Sequence, residues 1–575
     1  MQTQRMILWI VFSISLLFLW DAWQRSQGQA SLFGGSPPAT QTAGVAPAGG
    51  AAPTPPAKSD ASIPAGPTTA AGGAGAVPSA DAAGKGAGAV ADGAVYRLSN
   101  DVLVLDVDSL GGQVRRGELL AHRDADARDR NVLLLQNDPG KVFLAQSGFI
   151  GGAQGAPFPT HRTRFAAEGV TGSEVRLADG AEAVRLVMSA EAGGLKVTRT
   201  YTLKRGAYVV EVTDALENQG AAPVRPTLYL QLARDTHKPP GESQFYSTYT
   251  GPVIYTEATK FQKVDFNTIE KGKTDHAKGA ADGWLGIIQH YFVTAWIPTE
   301  KANREYFTRK IDTNFYAVGA LQPLDELAPG AKASVTSRLL VGPQDQKMLE
   351  TVAPGLELTV DYGFLTAIAK PIFWLLDVCY QWAGNWGWAI VLLTIIIKTA
   401  FYPLQAASYR SMARMKAVTP KLMAIREKYG NDRVKMNQAM MELYKTEKIN
   451  PLGGCLPIVV QIPVFIALYW VLLASVEMRN APWIGWIHDL ATPDPWYILP
   501  LIMAGTMFIQ VKLNPTPPDP IQARMMTIMP IVFSVMFFFF PAGLVLYWLV
   551  NNVYSIAQQW FITRQIEKAA AAKKA

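Results

Sequence analysis

Five apolar segments in the last third of the chain restrict its fold more than any other feature. They cover residues 386–404, 456–473, 497–511, 525–540 and 543–561. Each is close to the roughly 20 residues that an α-helix needs to cross a bilayer. A sixth apolar run, 6–20, follows Arg5. We interpret it as an uncleaved signal anchor rather than a cleaved signal peptide, because the only small-residue cleavage site nearby is the poor Gly28-Gln29-Ala30. The sequence therefore predicts a polytopic α-helical membrane protein with six transmembrane helices.

Loop charge predicts the orientation of these helices. Segment 405–451 carries ten Lys and Arg against four Asp and Glu, whereas 474–495 carries one basic and three acidic residues. The positive-inside rule places 405–451, the basic C-terminal tail and the N-terminus in the cytoplasm. The formal net charge of +7 is explained by these loops, so it does not imply direct binding of nucleic acid.

Composition divides the chain into a series of segments. Residues 1–23 form the predicted anchor, and 24–92 are an Ala/Gly/Pro-rich tether that cannot bury enough apolar surface to become ordered. Residues 93–350 contain short alternating strands, among them 183–188, 195–203, 208–212, 227–232 and 334–341, which predict a large β-sandwich domain outside the membrane. Residues 357–383 are predicted to be an amphipathic interfacial helix. Residues 384–567 form a five-helix core that includes 405–451 as a cytoplasmic helical hairpin, and 568–575 is a short basic tail.

The composition gives no support for catalysis. The two cysteines, Cys379 and Cys455, lie on opposite sides of the predicted membrane and cannot form a metal or disulfide framework. The histidines are isolated, and no pair of carboxylates is placed for acid–base chemistry. We therefore predict no enzyme activity, no catalytic residue, no metal site and no cofactor.

Lys398 is the only Asp, Glu, Lys or Arg within the five C-terminal segments. Such a group at membrane depth costs roughly 2.5–3.5 kcal/mol, and no segment offers an acidic partner. It either lies in a wet cavity that receives something negative, or snorkels to the cytoplasmic headgroups. Thr394, Gln461, Asn551 and Asn552 are polar groups that fit such a cavity. Ordinary helix-packing polarity explains them equally well.

Methionines follow both helical patterns of the hairpin. They include Met412, Met415, Met423, Met436 and Met440. Methionine suits adaptable contact with varied apolar partners. The alternative is that these side chains pack the hairpin against itself, and the pattern does not separate the two.

Several motifs resemble one family in order and spacing. They are Gly384-Asn385-Trp386-Gly387, Lys398 followed by Tyr402-Pro403-Leu404, Asn450-Pro451-Leu452-Gly453-Gly454-Cys455, Gln461-Ile462-Pro463, Trp486-Ile487-His488-Asp489-Leu490, Asp494-Pro495 and Pro541-Ala542-Gly543-Leu544. From about 357 to 567 the sequence resembles the Oxa/Alb/YidC family of membrane protein insertases. Residues 93–350 match more loosely, through Gln146-Ser147-Gly148, Leu203-Lys204-Arg205-Gly206 and Tyr291-Phe292-Val293-Thr294-Ala295-Trp296.

The resemblance implies a membrane insertase and chaperone of the Gram-negative type, located in the inner membrane with a periplasmic, supersandwich-like β domain. Its groove would be hydrophilic and carry a positive charge. The family usually has arginine there, whereas this chain has Lys398, which keeps the charge and loses the planar fork. Thr394, Tyr547 and Trp548 match positions linked to substrate contact. Implied partners are nascent membrane proteins, the lipid bilayer, the Sec translocon and, weakly or transiently because the tail is short, the ribosome.

Two other functions compete with this one. A small-molecule transporter for an anionic solute would also use Lys398, but it would be expected to show inverted repeats or paired broken helices. An anchored carbohydrate-binding or enzymatic β domain would need one span, and it leaves the basic hairpin unexplained.

Overall fold

The computed structural model describes residues 62–64, 93–125, 127, 129–152, 156–239, 248–429, 432–447, 456–513, 524–525, 528 and 534–572. These residues fall into two compact units that divide between Thr359 and Val360. The predicted anchor 1–23, most of the tether 24–92, and residues 526–527 and 529–533 of the predicted span 525–540 lie outside the described residues.

The first unit consists almost entirely of β-strands. They are β1 (Val95–Ser99), β2 (Leu103–Asp108), β3 (Val114–Arg123), β4 (Asn131–Asp138), β5 (Lys141–Ile150), β6 (Ala166–Glu168), β7 (Glu174–Arg176), β8 (Ala183–Ala192), β9 (Leu195–Lys204), β10 (Val209–Asn218), β11 (Thr227–Asp235), β12 (Thr250–Thr256), β13 (Lys260–Lys263), β14 (Gly279–Ala280), β15 (Trp284–Gln289), β16 (Phe292–Pro298), β17 (Arg304–Asp312), β18 (Phe315–Pro323) and β19 (Lys332–Pro343). Two short helices, α1 (Phe266–Glu270) and α2 (Gln346–Val352), accompany them.

The strands form two sheets. One has ten strands in the order β14-β17-β18-β11-β5-β4-β3-β2-β1-β7, and the other has nine in the order β13-β12-β15-β16-β19-β10-β9-β8-β6. The pairings are antiparallel except that between β1 and β7. Buried side chains from both sheets, such as Leu105 and Val197, belong to one apolar cluster. The unit is therefore a two-sheet β domain with a shared core.

Alternation of side chains explains the strands that the sequence predicted. In β9, every second residue from Leu195 to Leu203 is buried, while the residues that alternate with them are partly exposed. Strand β9 pairs with β8 and β10, and Gly206 takes a φ of 67° in the turn before β10. A left-handed residue at that point favours glycine, so the predicted turn at 204–207 is present.

The tether is not wholly without order. Residues Ser62 and Pro64 are buried in the structure, and Ser62 hydrogen-bonds to the β domain. The expectation of an unordered segment is therefore wrong for 62–64. Composition misled because a three-residue segment can be held by a polar pocket without burying much apolar surface.

The second unit is helical. Its helices are α3 (Thr366–Ala383), α4 (Trp386–Ala400), α5 (Tyr402–Tyr429), α6 (Arg433–Thr446), α7 (Leu456–Ala474), α8 (Ile498–Leu513) and α9 (Ala542–Ala572). Helix α9 packs against α4, α5 and α8, and α3 packs against α4 and α7.

Helix α3 is the amphipathic helix expected at 357–383, but it begins later. Two 3₁₀ turns, Leu356–Thr359 and Gly363–Leu365, precede it, and Gly363 has a φ of 62° that interrupts a continuous helix. Ile372, Leu376 and Cys379 are among the buried residues of α3. On the opposite side Trp374 is 66% exposed, which is typical of a helix with one free apolar face.

The predicted spans are only partly reproduced. Within the described residues, no single helix combines the length and apolarity needed to cross a membrane; α4 and residues 402–415 of α5 do so only as a pair, bent by 65°. The segment predicted at 386–404 divides because Pro403 has no N–H to continue the hydrogen-bond ladder, so α4 ends at Ala400. Helix α9 continues to Ala572, well beyond the predicted end at 561.

The hairpin predicted at 405–451 corresponds to α5 and α6. Asp432 caps α6, and its carboxylate accepts hydrogen bonds from the N–H groups of Val434 and Lys435. Lys421 and Glu447 form an ion pair of 2.5 Å between the two arms of the hairpin.

Candidate functional site

Helix α4 carries Lys398, and its start is firmly held. The Asn385 side chain accepts a hydrogen bond from the N–H of Trp388 at 3.1 Å, which satisfies one of the free donors of the first turn. The same amide donates to the Pro482 carbonyl at 2.9 Å. A Cβ at Gly387 would lie 2.2 Å from the Trp483 ring, so a glycine is needed there. The Gly384–Gly387 motif therefore fixes where α4, and with it Lys398, begins.

The ammonium of Lys398 is directed into the helical unit. Lys398 is 3% exposed, and its Nζ donates to Ser555 Oγ of α9 at 2.7 Å. Ser555 in turn donates to the Asn551 carbonyl at 2.7 Å. No salt bridge to Lys398 is formed within the described residues, and Ser555 is the hydrogen-bond partner of its ammonium. A buried cation is thus held by a neutral hydroxyl.

Uncharged polar groups continue this site along one face of α9. Asn551, Ser555 and Gln558 recur at spacings of four and three, which places them on one side of a helix. Gln461 of α7 donates to Asn551 Oδ1 at 2.6 Å. Both amide atoms of the buried Gln558 lack a hydrogen-bond partner in the described part of the chain. We call Lys398, Gln461, Asn551, Ser555 and Gln558 the polar face.

A pocket adjoins the polar face. It is lined by Ile397, Lys398, Phe401, Leu404, Gln405, Val460 and Gln461. Apolar and polar groups therefore border the cation together.

The other side of α9 has a packing role. Asn552 donates to Thr506 at 3.4 Å, and Gln510 donates to Gln559 at 2.7 Å. These contacts join α9 to α8 with ordinary polar pairs between helices. Asn552, which the sequence grouped with Asn551, therefore belongs to a different contact.

The hydrogen bonds and ring contacts of Thr394, Tyr547 and Trp548 are made with residues other than Lys398. The Thr394 hydroxyl donates to the Ile390 carbonyl of its own helix at 2.7 Å. Tyr547 stacks on Phe465 with ring centroids 6.1 Å apart, and Trp548 meets Phe465 edge-on at 4.6 Å. The Trp548 N–H has no acceptor in the part of the chain that the structure describes. Phe465, Tyr547 and Trp548 form an aromatic cluster, and the role of Thr394, Tyr547 and Trp548 in client contact stays a prediction.

The hairpin methionines have different surroundings. Met415 and Met440 pack against Val418 and Leu422 inside the hairpin, and Met412 packs with Ala406, Tyr409 and Ile562. Met436 is partly exposed, and Met423 is 56% exposed. Met423 is thus the methionine best placed to meet a partner. Client contact by the hairpin methionines remains a prediction.

Sequence reasoning did not identify Ser555. It sought an acidic partner for Lys398, whereas the structure supplies a hydroxyl from a helix 157 residues away. The recurrence of Asn551, Ser555 and Gln558 within an apolar segment was a signal that could have revealed it.

Comparison with known proteins then decides the family. A family description "YidC periplasmic domain" matches residues 96–375, and "60Kd inner membrane protein" matches 378–569. The protein named membrane protein insertase YidC from Cupriavidus necator is 52% identical over 572 residues, covering 100% of this chain and 99% of the relative. That of Bordetella pertussis is 55% identical over 575 residues, with the same coverage. The chain belongs to the YidC family of membrane protein insertases.

Family membership supports several of the expectations. A periplasmic β domain and a C-terminal inner-membrane region are present, as predicted, and these comparisons give no support to an anion transporter.

A solved structure titled as an active YidC insertase with its first transmembrane domain resolved is 16% identical. It covers 81% of this chain and 94% of its own, with a TM-score of 0.37.

Proposed function

We propose that this protein inserts nascent inner-membrane proteins by offering the polar face, with Lys398 at its centre, to client segments that must cross the bilayer. The observation that carries the proposal is the buried ammonium of Lys398, which donates to Ser555 Oγ at 2.7 Å. No carboxylate among the described residues forms a salt bridge with it. A cation left with one neutral partner at such depth is costly. A passing carboxylate would relieve that cost.

The chemistry needs no covalent step. Water in the groove lowers the dehydration cost of a client's polar segment, and Lys398 attracts its carboxylates part of the way across. The client's apolar helix then enters lipid, and burial of its apolar surface supplies the driving force. The aromatic cluster around Phe465 offers an apolar border for this exit. The protein therefore works without nucleotide, cofactor or metal and not as an enzyme.

Burial of the ammonium favours this function over snorkelling. A snorkelling lysine would keep its charge in water, whereas Lys398 is 3% exposed and bonded to another helix. Insertion of an acidic-tailed client into vesicles containing this protein tests the proposal. Insertion no greater than into protein-free vesicles would contradict it.

Other partners follow from the exposed surfaces. The basic hairpin α5–α6, with Met423 exposed, suits transient contact with the ribosome and with emerging apolar segments. The exposed apolar face of α3, including Trp374 and Trp382, suits the bilayer surface. We propose that the protein acts alone or beside the Sec translocon, and that it binds no nucleic acid directly.

The proposed topology has six spans, with both termini and 405–451 in the cytoplasm and 24–385 outside. The β domain is then a periplasmic sandwich of supersandwich type. We expect Met423→Cys, in a variant lacking Cys379 and Cys455, to resist an impermeant maleimide in intact spheroplasts, because the hairpin faces the cytoplasm. Asp179→Cys, on the exposed surface of the β domain, is the matched control and should be labelled. Labelling of Met423→Cys before permeabilisation would rule out this topology.

We expect the β domain to be dispensable for growth, because the polar face lies wholly in the helical unit. A deletion that ended at residue 320 would leave β19 in place without its partners β10 and β16. The deletion should therefore remove 30–355 and keep α3. Complementation of a depletion strain measures the result, with protein level as the control. Loss of growth at normal protein level would contradict the expectation.

A further inference from the structure

A three-residue piece of the low-complexity segment occupies a polar pocket of the β domain. Gln231 Nε2 donates to the Ser62 carbonyl at 2.9 Å. Arg309 donates through Nη2 to the same carbonyl at 2.5 Å and through Nη1 to the Ile63 carbonyl at 2.9 Å. One guanidinium thus spans two successive peptide carbonyls, which its rigid fork of donors suits.

The Ser62 side chain has its own partners in the pocket. Its Oγ lies 3.0 Å from His161 Nε2 and accepts from Arg162 at 3.4 Å. The Tyr229 hydroxyl accepts a hydrogen bond from the backbone N–H of His161 at 2.9 Å, and it lies 2.6 Å from the ring atom His161 Nδ1. Burial raises the pKa of Tyr229 above its usual range. The His161 ring therefore lies between two hydroxyls, those of Tyr229 and Ser62.

Further contacts within the β domain hold the polar groups of this pocket in place. Gln231 is fully buried, and it also donates to Gln146 at 2.7 Å, which donates to Gln113 at 2.8 Å. A Cβ at Gly148 would lie 2.7 Å from the Tyr229 hydroxyl, so glycine admits that ring. Gln146 and Gly148 belong to the Gln146-Ser147-Gly148 motif, which the insertase mechanism does not use. These contacts orient donors toward one short stretch of peptide.

We propose that this pocket is a peptide-binding site of the β domain, with Ser62-Ile63-Pro64 as its tethered ligand. Its ligands are extended peptides that present a small hydroxyl side chain followed by two accessible carbonyls. Gln231 and Arg309 supply donors and therefore select the carbonyl acceptors, while His161 contacts the hydroxyl side chain. Covalent attachment gives the resident segment a high effective concentration, so another peptide enters only by displacing it.

Fluorescence anisotropy with full-length protein in detergent tests the site. The probe is a labelled peptide with the sequence of residues 58–67, and a scrambled peptide is its control. One variant lacks residues 58–67, which removes the resident segment together with the backbone carbonyls that Gln231 and Arg309 bind. We expect the probe to bind this variant at least about tenfold more tightly than the wild type, because the resident segment no longer competes.

Arg309→Ala in the same variant should weaken probe binding by about tenfold or more, since two charge-assisted hydrogen bonds are lost. Arg309→Lys keeps the charge without the fork and should bind weakly too. Thermal unfolding of each variant checks its fold. Absence of binding to the emptied variant, equal binding to the wild type, or displacement by millimolar phosphate would overturn the proposal. Unfolding of the deletion variant would do so as well, because the segment would then be a structural element.

Discussion

Replacing Lys398 by glutamate should reduce insertion of an acidic-tailed client by at least about tenfold, because the charge at the polar face changes sign and repels the client's carboxylates. Lys398→Ala should reduce insertion less, since it removes attraction without adding repulsion. Insertion is measured as protease protection of the translocated tail in reconstituted vesicles. The same client with a neutralised tail should be affected far less by either change.

Two matched variants separate charge from packing. Lys398→Arg keeps a cation and should insert at close to the wild-type rate. Ser555→Ala removes the hydrogen-bond partner of Lys398 but leaves the charge, so its effect should be small and similar for both clients. If Lys398→Ala inserts the acidic client as fast as the wild type, Lys398 has only a structural role.

Breaking the buried ion pair of the β domain should have the largest effect on stability. Arg199 Nε and Asp214 Oδ1 are 2.7 Å apart, with side chains 0% and 4% exposed. Arg199→Ala leaves a buried carboxylate without its cation, which typically costs 3–5 kcal/mol. We expect about that loss in the free energy of unfolding, measured by pulse proteolysis of the full-length protein across a urea series.

The exposed pair Arg225–Glu326 provides the control. Its side chains are 78% and 47% exposed, so Arg225→Ala should cost about 1 kcal/mol or less. The double variant Arg199→Met and Asp214→Leu should recover much of the loss, because apolar side chains avoid the uncompensated charge. A loss below about 1 kcal/mol for Arg199→Ala would show that water or another group satisfies Asp214.

The apolar runs in the sequence predicted much of the helical unit. The runs placed α4, α7, α8 and α9 within a few residues at most ends, since a long apolar run has few other ways to fold. Asn385 and Asp432 cap helices α4 and α6 in the structure. The continuous segments predicted at 386–404 and 357–383 were too long, because Pro403 interrupts the first and Gly363, with a left-handed φ, interrupts the second.

In the candidate site, too, the sequence identified some residues, while other contacts were decided only by the tertiary structure. The sequence alone identified Lys398, because a single charge in apolar surroundings stands out without any structure, and the motifs around it identified the family. Only the tertiary structure decided that the ammonium meets Ser555, that Asn551 and Asn552 face different helices, and that Ser62 enters a pocket made by β11 and β17. The physical reason is that a hydrophobic pattern is local and can be seen along the chain. A hydrogen bond between residues more than a hundred positions apart depends on how the helices and sheets pack.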